Sequence, residues 1–339
     1  MQYTDLALYD YYLPKSLIAQ KPAIPRDSCR LLVYYRHNQQ IINDYFYNLD
    51  KYLPKKSLLV LNNTKVISAR IMGQRATGGK IEILMTRVDS QSVEAMVSRS
   101  LVIGETVILN GGLKLQVRKQ KQRFFLFKHN LSLESLLVYL QKYGQMPIPP
   151  YIKHPDSLVK LKTQYQTVFA KESGSIAAPT ASLHFTKRML NKLEKQNLKP
   201  VYVTLHVGLG TFLPLSEQNF RKNQLHQEWY QVKPQVWKQV MTHFRNKQPI
   251  IAVGTTVART LESITKTLEL VDETRLFIKR PYRFKLVTGL LTNFHLPKSS
   301  LLLLIDAFIK SREQTLFLYN YAVSQKYRFY SFGDAMLIL

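Results

Sequence analysis

The stretch that decides the fold opens with Val66-Ile67-Ser68-Ala69-Arg70 and continues through five further short runs, residues 80–86, 93–97, 106–109, 113–119 and 123–127. Gly73, Gly78-Gly79, Gly104 and Gly111-Gly112 punctuate them. Strands this short, parted by residues that turn with little steric cost, predict a small antiparallel barrel. On its far side, residues 131–143 have helical patterning, and Pro147-Ile148-Pro149-Pro150 marks a stiff turn that would close the insertion. On its near side, residues 31–35 and 57–61 read as strands, with a turn at Asn38-Gln39-Gln40.

After residue 150 buried strands alternate with helices, which predicts an α/β layer. The strands are expected at 201–205 and 250–253. The helices are expected at 186–196 behind a Thr186 cap, at 257–267, at 301–310 behind Ser299 or Ser300, and at 312–324. The predicted architecture is a mixed α/β domain, residues 1–65 and 131–339, with an inserted small antiparallel β-barrel domain at residues 66–130.

A chain of 339 residues, 45% hydrophobic and 21% charged, has the composition of a folded globular protein with more than one core. Its single cysteine, Cys29, cannot close an intramolecular disulfide or build a multi-cysteine metal site, and reads as a small buried hydrophobe. That usage fits a reducing cytosol. Asp5 and Asp10 near the start argue against a secretory leader. The most apolar stretch, residues 289–309, is interrupted by Asn293, His295, Pro297 and Lys298, so it is expected as a loop feeding a buried helix and not as a membrane span.

Charge is the most unusual bulk property. Lys and Arg total 48 against 22 Asp and Glu, a formal net charge of +26. The cations are dispersed among several segments, including Arg118, Lys119, Lys121 and Arg123, then Lys187, Arg188, Lys192 and Lys195, then Lys279, Arg280, Arg283 and Lys285. Such dispersion suits contact with the backbone of a large nucleic acid.

Several segments could carry chemistry. A small-residue loop from Gly174 ends in Leu183-His184-Phe185, and His206-Val207-Gly208-Leu209-Gly210-Thr211-Phe212 follows a predicted strand. Its glycines would let backbone amides approach a ligand, although the third glycine of a dinucleotide fingerprint is missing. Gly254-Thr255-Thr256 opens a predicted helix, where N–H groups and hydroxyls either seat an anion or simply cap the helix. His226 and Glu228 stand two apart, on one face of an extended segment, and could share a proton. Asn293-Phe294-His295 and the run from Tyr327 to Asp334 mix polar and aromatic residues in turn-like segments, as a base-stacking site or an aromatic core would. No metal-ligand spacing occurs.

In this order the segments resemble the S-adenosylmethionine:tRNA ribosyltransferase-isomerases of queuosine biosynthesis across essentially the whole chain. The resemblance is carried by Tyr9-Asp10-Tyr11-Tyr12-Leu13-Pro14, Asn62-Asn63-Thr64-Lys65, Thr77-Gly78-Gly79-Lys80, Ala177-Ala178-Pro179-Thr180, His206-Val207-Gly208, Gly254-Thr255-Thr256, Arg259-Thr260-Leu261-Glu262-Ser263, Thr292-Asn293-Phe294-His295 and Phe332-Gly333-Asp334. It implies an enzyme that transfers and isomerises the ribosyl moiety of S-adenosylmethionine onto 7-aminomethyl-7-deazaguanine at the tRNA wobble position. Epoxyqueuosine forms while adenine and methionine leave. A related chain that binds RNA without catalysis is the alternative, and would release no adenine. The expected catalytic residues are His226, Glu228 and His206. The expected substrate-binding residues are His184, Gly208, Gly210, Thr211, Thr255, Thr256, Arg259, Asn293, His295 and Asp334. S-adenosylmethionine enters as co-substrate with no cofactor or metal, and the expected partners are that molecule and the tRNA. A cytoplasmic monomer without membrane contact follows. Asn63, Asn223 and Thr288 stand where the family pattern usually has aspartate, histidine and aspartate.

Overall fold

The computed structural model describes residues 1–339 apart from Gln122, Pro149, Pro150, residues 153–157, Leu209, Thr211 and Phe212, and apart from the side chains of Leu158 and Val159. The first half runs β1 (Arg30–Tyr35), β2 (Gln40–Tyr45), β3 (Leu58–Asn62), β4 (Thr64–Val66), β5 (Arg70–Arg75), β6 (Lys80–Val88), β7 (Ser92–Val97), β8 (Thr106–Leu109), β9 (Lys114–Lys121), β10 (Phe124–Lys128), α1 (Leu133–Tyr143) and α2 (Leu158–Gln164). The second runs β11 (Glu172–Ser175), α3 (Lys187–Lys195), β12 (Val201–Leu205), α4 (Glu217–Lys222), β13 (Gln224–Gln231), α5 (Pro234–Arg245), β14 (Ile250–Val253), α6 (Thr255–Thr267), β15 (Val271–Leu276), β16 (Gly289–Asn293), α7 (Ser300–Ile309), α8 (Arg312–Ser324) and β17 (Ala335–Ile338).

Among the described residues nine strands form one sheet in the order β15-β13-β12-β3-β14-β16-β17-β1-β2. The neighbours β12, β3, β14 and β16 are parallel. Every residue of β3, β14, β16 and β17 is buried, which explains why they read as uninterrupted apolar runs such as Ile250-Ile251-Ala252-Val253. Alternation then divides the core: Leu58 and Val60 pack with Val257 and Leu261 of α6 and Leu303 of α7, whereas Leu59 and Leu61 pack with Met189 and Leu193 of α3. Helices α3 and α7 begin where the sequence supplies oxygen acceptors. Thr186 accepts from the Met189 amide and Ser299 from the Leu302 amide.

The barrel is closed, in the order β10-β7-β6-β5-β8-β9, and antiparallel throughout. Alternate residues Ile81, Ile83 and Met85 of β6 fill its interior, and Leu136 and Leu140 of α1 join the same core. One boundary differs from expectation. Thr64–Val66 pairs in parallel with Glu172–Ser175 outside the barrel, and the first barrel strand is Arg70–Arg75. Gly73, expected at a turn, lies inside that strand, where an added Cβ would stand 3.0 Å from the Ile108 carbonyl oxygen. The chain enters and leaves through a neck where Arg70 and Gln145 exchange backbone hydrogen bonds of 3.1 and 2.6 Å.

A second correction concerns residues 289–293. They form the interior strand β16 and not a loop, since the polar Asn293 sits only at the strand's end. The expected turn at Pro147 to Pro150 lies partly outside the described residues. Among the described residues no helix is long and apolar enough to cross a membrane.

Candidate active site

Because β12, β3, β14 and β16 are parallel, their carboxyl ends share one edge of the sheet. That edge carries His206, Asn62-Asn63-Thr64, Gly254-Thr255-Thr256 and Asn293. Strand β17 opposes β16 with Ala335 opposite Asn293, so Asp334 arrives at the same edge. The edge outside the carboxyl ends is where open α/β sheets hold ligands.

At the β12 end of this edge the barrel meets the sheet, and a cleft of about 830 Å³ opens between them. Thr86, Arg87, Lys121 and Phe124 come from the barrel, and His206, Gly208, Gly210, His226, Glu228 and Trp229 from the other wall. His206 is held on three sides. Its Nδ1 lies 2.7 Å from Thr64 Oγ1, its ring stacks on Trp229 at 4.8 Å and 24°, and Gly174 covers the ring face beside Nε2. Gly174 has φ +150°, and a Cβ there would lie 2.5 Å from Nε2, so a larger residue could not back the ring without moving it. Burial pushes the His206 pKa down to about 4, which keeps the imidazole neutral near neutral pH.

Glu228 and His226 line the same cleft but differ in burial. Glu228 is buried, accepts from the Gly208 amide at 3.1 Å, and is ion-paired with the buried Arg259 Nη1. Arg259 Nε donates in turn to the Leu276 carbonyl at 3.0 Å. His226 is exposed at the lip of the cleft, against Gly210. The register of β13 against β15 shifts between Gln224 and Glu228, the stretch that carries His226, and both side chains line the cleft.

Other expected residues line the sheet edge away from the cleft. Thr255 is buried at the start of α6, and Thr256 Oγ1 lies 3.4 Å from Asn62 Nδ2, a long contact. His184 is buried between Cys29 Sγ, 3.2 Å from Nδ1, and Asn293 Nδ2, 3.1 Å from Nε2, and burial drops its pKa to about 4. Asn293 Nδ2 also donates to the Tyr330 carbonyl at 3.1 Å. His295 lies between Thr292 Oγ1 at 3.2 Å and the Tyr319 hydroxyl at 3.1 Å, with its pKa pushed down to about 3 by burial. Asp334 is buried, accepting from Arg328 and from the Arg30 amide. Thr211 lies outside the described residues.

Sequence reasoning missed Trp229 and Thr64 as parts of the site. Both stand in or beside segments already singled out, but nothing local shows that the ring of one and the hydroxyl of the other meet His206. The three departures from the family pattern have structural explanations. Asn63 Oδ1 accepts from Thr204 Oγ1 at 2.7 Å, Asn223 ends α4 at φ +50°, a conformation asparagine tolerates well, and Thr288 Oγ1 bonds the Ile250 backbone. Among the described residues no group of three or more His, Cys, Asp or Glu could hold a metal ion.

The family described as queuosine biosynthesis protein matches residues 6–338. A relative from Sulfurihydrogenibium sp. (strain YO3AOP1), an S-adenosylmethionine:tRNA ribosyltransferase-isomerase, is 42% identical over 339 residues, covering 98% of this chain and 99% of its own. A relative of the same name from Aquifex aeolicus is 40% identical, with 98% of each chain covered. The crystal structure of an S-adenosylmethionine tRNA ribosyltransferase from Thermotoga maritima is similar with a TM-score of 0.57 and 33% identity, covering 98% of this chain and 100% of that one. Matched from end to end in both sequence and fold, the chain belongs to the S-adenosylmethionine:tRNA ribosyltransferase-isomerase family of queuosine biosynthesis enzymes.

Proposed function

We infer that the cleft transfers and isomerises the ribosyl part of S-adenosylmethionine onto the aminomethyl group of 7-aminomethyl-7-deazaguanine at the tRNA wobble position. Epoxyqueuosine forms, and adenine and methionine leave. The observation that carries this reading is the neutral His206, fixed by Thr64, Trp229 and Gly174 in a cleft whose walls bear both carboxylates and cations. Such an imidazole can accept a proton from the carbon beside the sulfonium, and tight positioning of the acceptor is itself rate-enhancing. Glu172 and Glu273 suit a sulfonium-bearing amino acid, while Arg87, Lys121 and Lys222 suit a polynucleotide. Glu228 and Arg259 act as positioning residues beneath the Gly208 backbone. The sulfonium supplies the activation, so the proposal invokes no cofactor besides the co-substrate. We further propose a cytoplasmic monomer, which a sizing measurement in solution tests.

The deciding experiment incubates the protein with S-adenosylmethionine and tRNA carrying the aminomethyl precursor, followed by nucleoside analysis and adenine quantitation. Epoxyqueuosine with stoichiometric adenine is expected. Folded protein that binds the tRNA and releases no adenine would overturn the reading.

A further inference from the structure

Outside the cleft, one surface combines cations, exposed aromatic rings and a hollow. Helix α3 places Arg188, Lys192 and Lys195 at i, i+4 and i+7, a single stripe along its solvent side. This stripe lines a hollow of about 850 Å³ with Asp27, Asn48 and Tyr47. Two of the cations are preset by acids beneath them: Arg188 Nη2 lies 3.0 Å from Asp27 Oδ2, and Lys192 Nζ lies 2.6 Å from Asp50 Oδ1. Lys195, at the helix's end, and Lys187, its first residue, about 100° round the helix from Arg188, are exposed, and no carboxylate partner of either stands among the described residues. Beside them the rings of Tyr45 and Tyr47 lie parallel, 5.4 Å apart with 4° between planes, while 47% and 40% exposed.

An aromatic pair held flat and left in water is a surface awaiting a partner with a π-face. A row of ammonium and guanidinium groups next to it suits a chain of phosphates. The two features together fit single-stranded RNA, whose backbone would track the helix stripe and whose unpaired base would stack on Tyr47. The surface is also placed to share one RNA with the cleft. Strand β1 follows Asp27 and Ser28, and it lies five strand steps from β12, on the order of 25 Å at ordinary strand spacing.

We propose that the α3 stripe and the Tyr45–Tyr47 pair form a second RNA-contact surface, which holds an unpaired segment of the substrate while the modified base occupies the cleft. The proposal rests on the reading of the chain as a tRNA-modifying enzyme. Its test uses the full chain and the precursor tRNA, with affinity measured over a range of salt. In Lys187→Ala/Lys195→Ala the slope of log affinity against log salt should become shallower by about 2, one for each lost phosphate contact. Tyr47→Leu should weaken tRNA binding about tenfold with the slope unchanged, because stacking releases no counterions. Both variants should keep the wild-type melting temperature and the wild-type dependence of rate on S-adenosylmethionine. Lys187→Arg/Lys195→Arg should bind as wild type. Wild-type affinity and slope in the Ala pair and in Tyr47→Leu would overturn the second surface while leaving the enzymatic reading intact. A wild-type chain that binds no tRNA at all would instead remove the enzymatic reading.

Discussion

Arg87 on barrel strand β6 and Glu273 on sheet strand β15 meet at 2.9 Å, an ion pair that joins the two walls of the cleft. Arg87 is 59% exposed in its side chain, so the pair is solvated and contributes about 0–1 kcal/mol to stability. An entering phosphate can therefore compete with Glu273 for the guanidinium at little cost. Arg87→Ala should leave the melting temperature within about 4 °C of wild type. It should also make the salt dependence of tRNA affinity shallower by about 1, as read from binding isotherms at several salt concentrations.

The two glycines after His206 should respond differently to substitution. At Gly210 an added Cβ collides with the Cβ and ring of His226, whereas at Gly208 the nearest atom is Glu228 Cγ at 3.9 Å. Gly210→Ala should displace His226 and lower turnover at least about tenfold, a floor set below the roughly 10²- to 10⁴-fold that a positioned acid or base contributes. His226→Ala should do the same. Gly208→Ala should retain most activity. Steady-state rates for the three variants check this, and equal effects at Gly208 and Gly210 would dissociate His226 from turnover.

Glu228 and Arg259 form a buried pair, so removing one charge strands the other. Arg259→Met should destabilise the chain by about 3–5 kcal/mol, and Arg259→Met/Glu228→Leu should recover a large part of that loss. Chemical denaturation of the single and double variants measures the difference. Full stability in Arg259→Met would show that Glu228 is not held as described.

Acid should destabilise the fold through its buried histidines. The His184 pKa falls from an ordinary value near 6.5 to about 4, so below pH 6.5 the unfolded chain takes up a proton that the folded chain refuses. Its contribution to stability is fully present above pH 6.5 and is lost as pH falls through about 4. At pH 5 the loss from His184 is about 2 kcal/mol. Melting temperatures between pH 7 and 5 should drop steeply, and less so in His184→Gln. For catalysis, a limb set by His206 should fall near pH 4 and not near 6.5.

The legible parts of this fold were those whose signals are local. Glycine spacing marked the barrel, and Ile250-Ile251-Ala252-Val253 before Gly254 marked a buried strand that the structure reproduces residue for residue, with the following helix starting at Thr255, two residues earlier than expected. Pairings across long separations left no such mark. Val66–Arg70 reads as the first barrel strand, yet Val66 closes a strand, Thr64–Val66, whose partner Glu172–Ser175 lies more than a hundred residues away, and the barrel begins only at Arg70. Strands β13 and β15 are polar along much of their length and lack clean alternation. At the site, His206 and His226 stood out as titratable groups, but the partners that decide their chemistry were set by topology. Arg259 claims Glu228, and Thr64 reaches His206 from a different strand.

The place of β17 between β16 and β1 has a consequence for how the chain comes off the ribosome. Leu31 of β1 pairs with Ala335 of β17, about 300 residues later. At synthesis rates of roughly 5–20 residues per second, β1 waits about 15–60 s for that partner. During the wait only the β1–β2 hairpin and the self-contained barrel can assemble from the first 145 residues, because β3 too must wait for β12 and β14. The apolar run Leu31-Leu32-Val33 thus spends most of translation with one bare edge, and this is the segment for which a nascent-chain chaperone would compete.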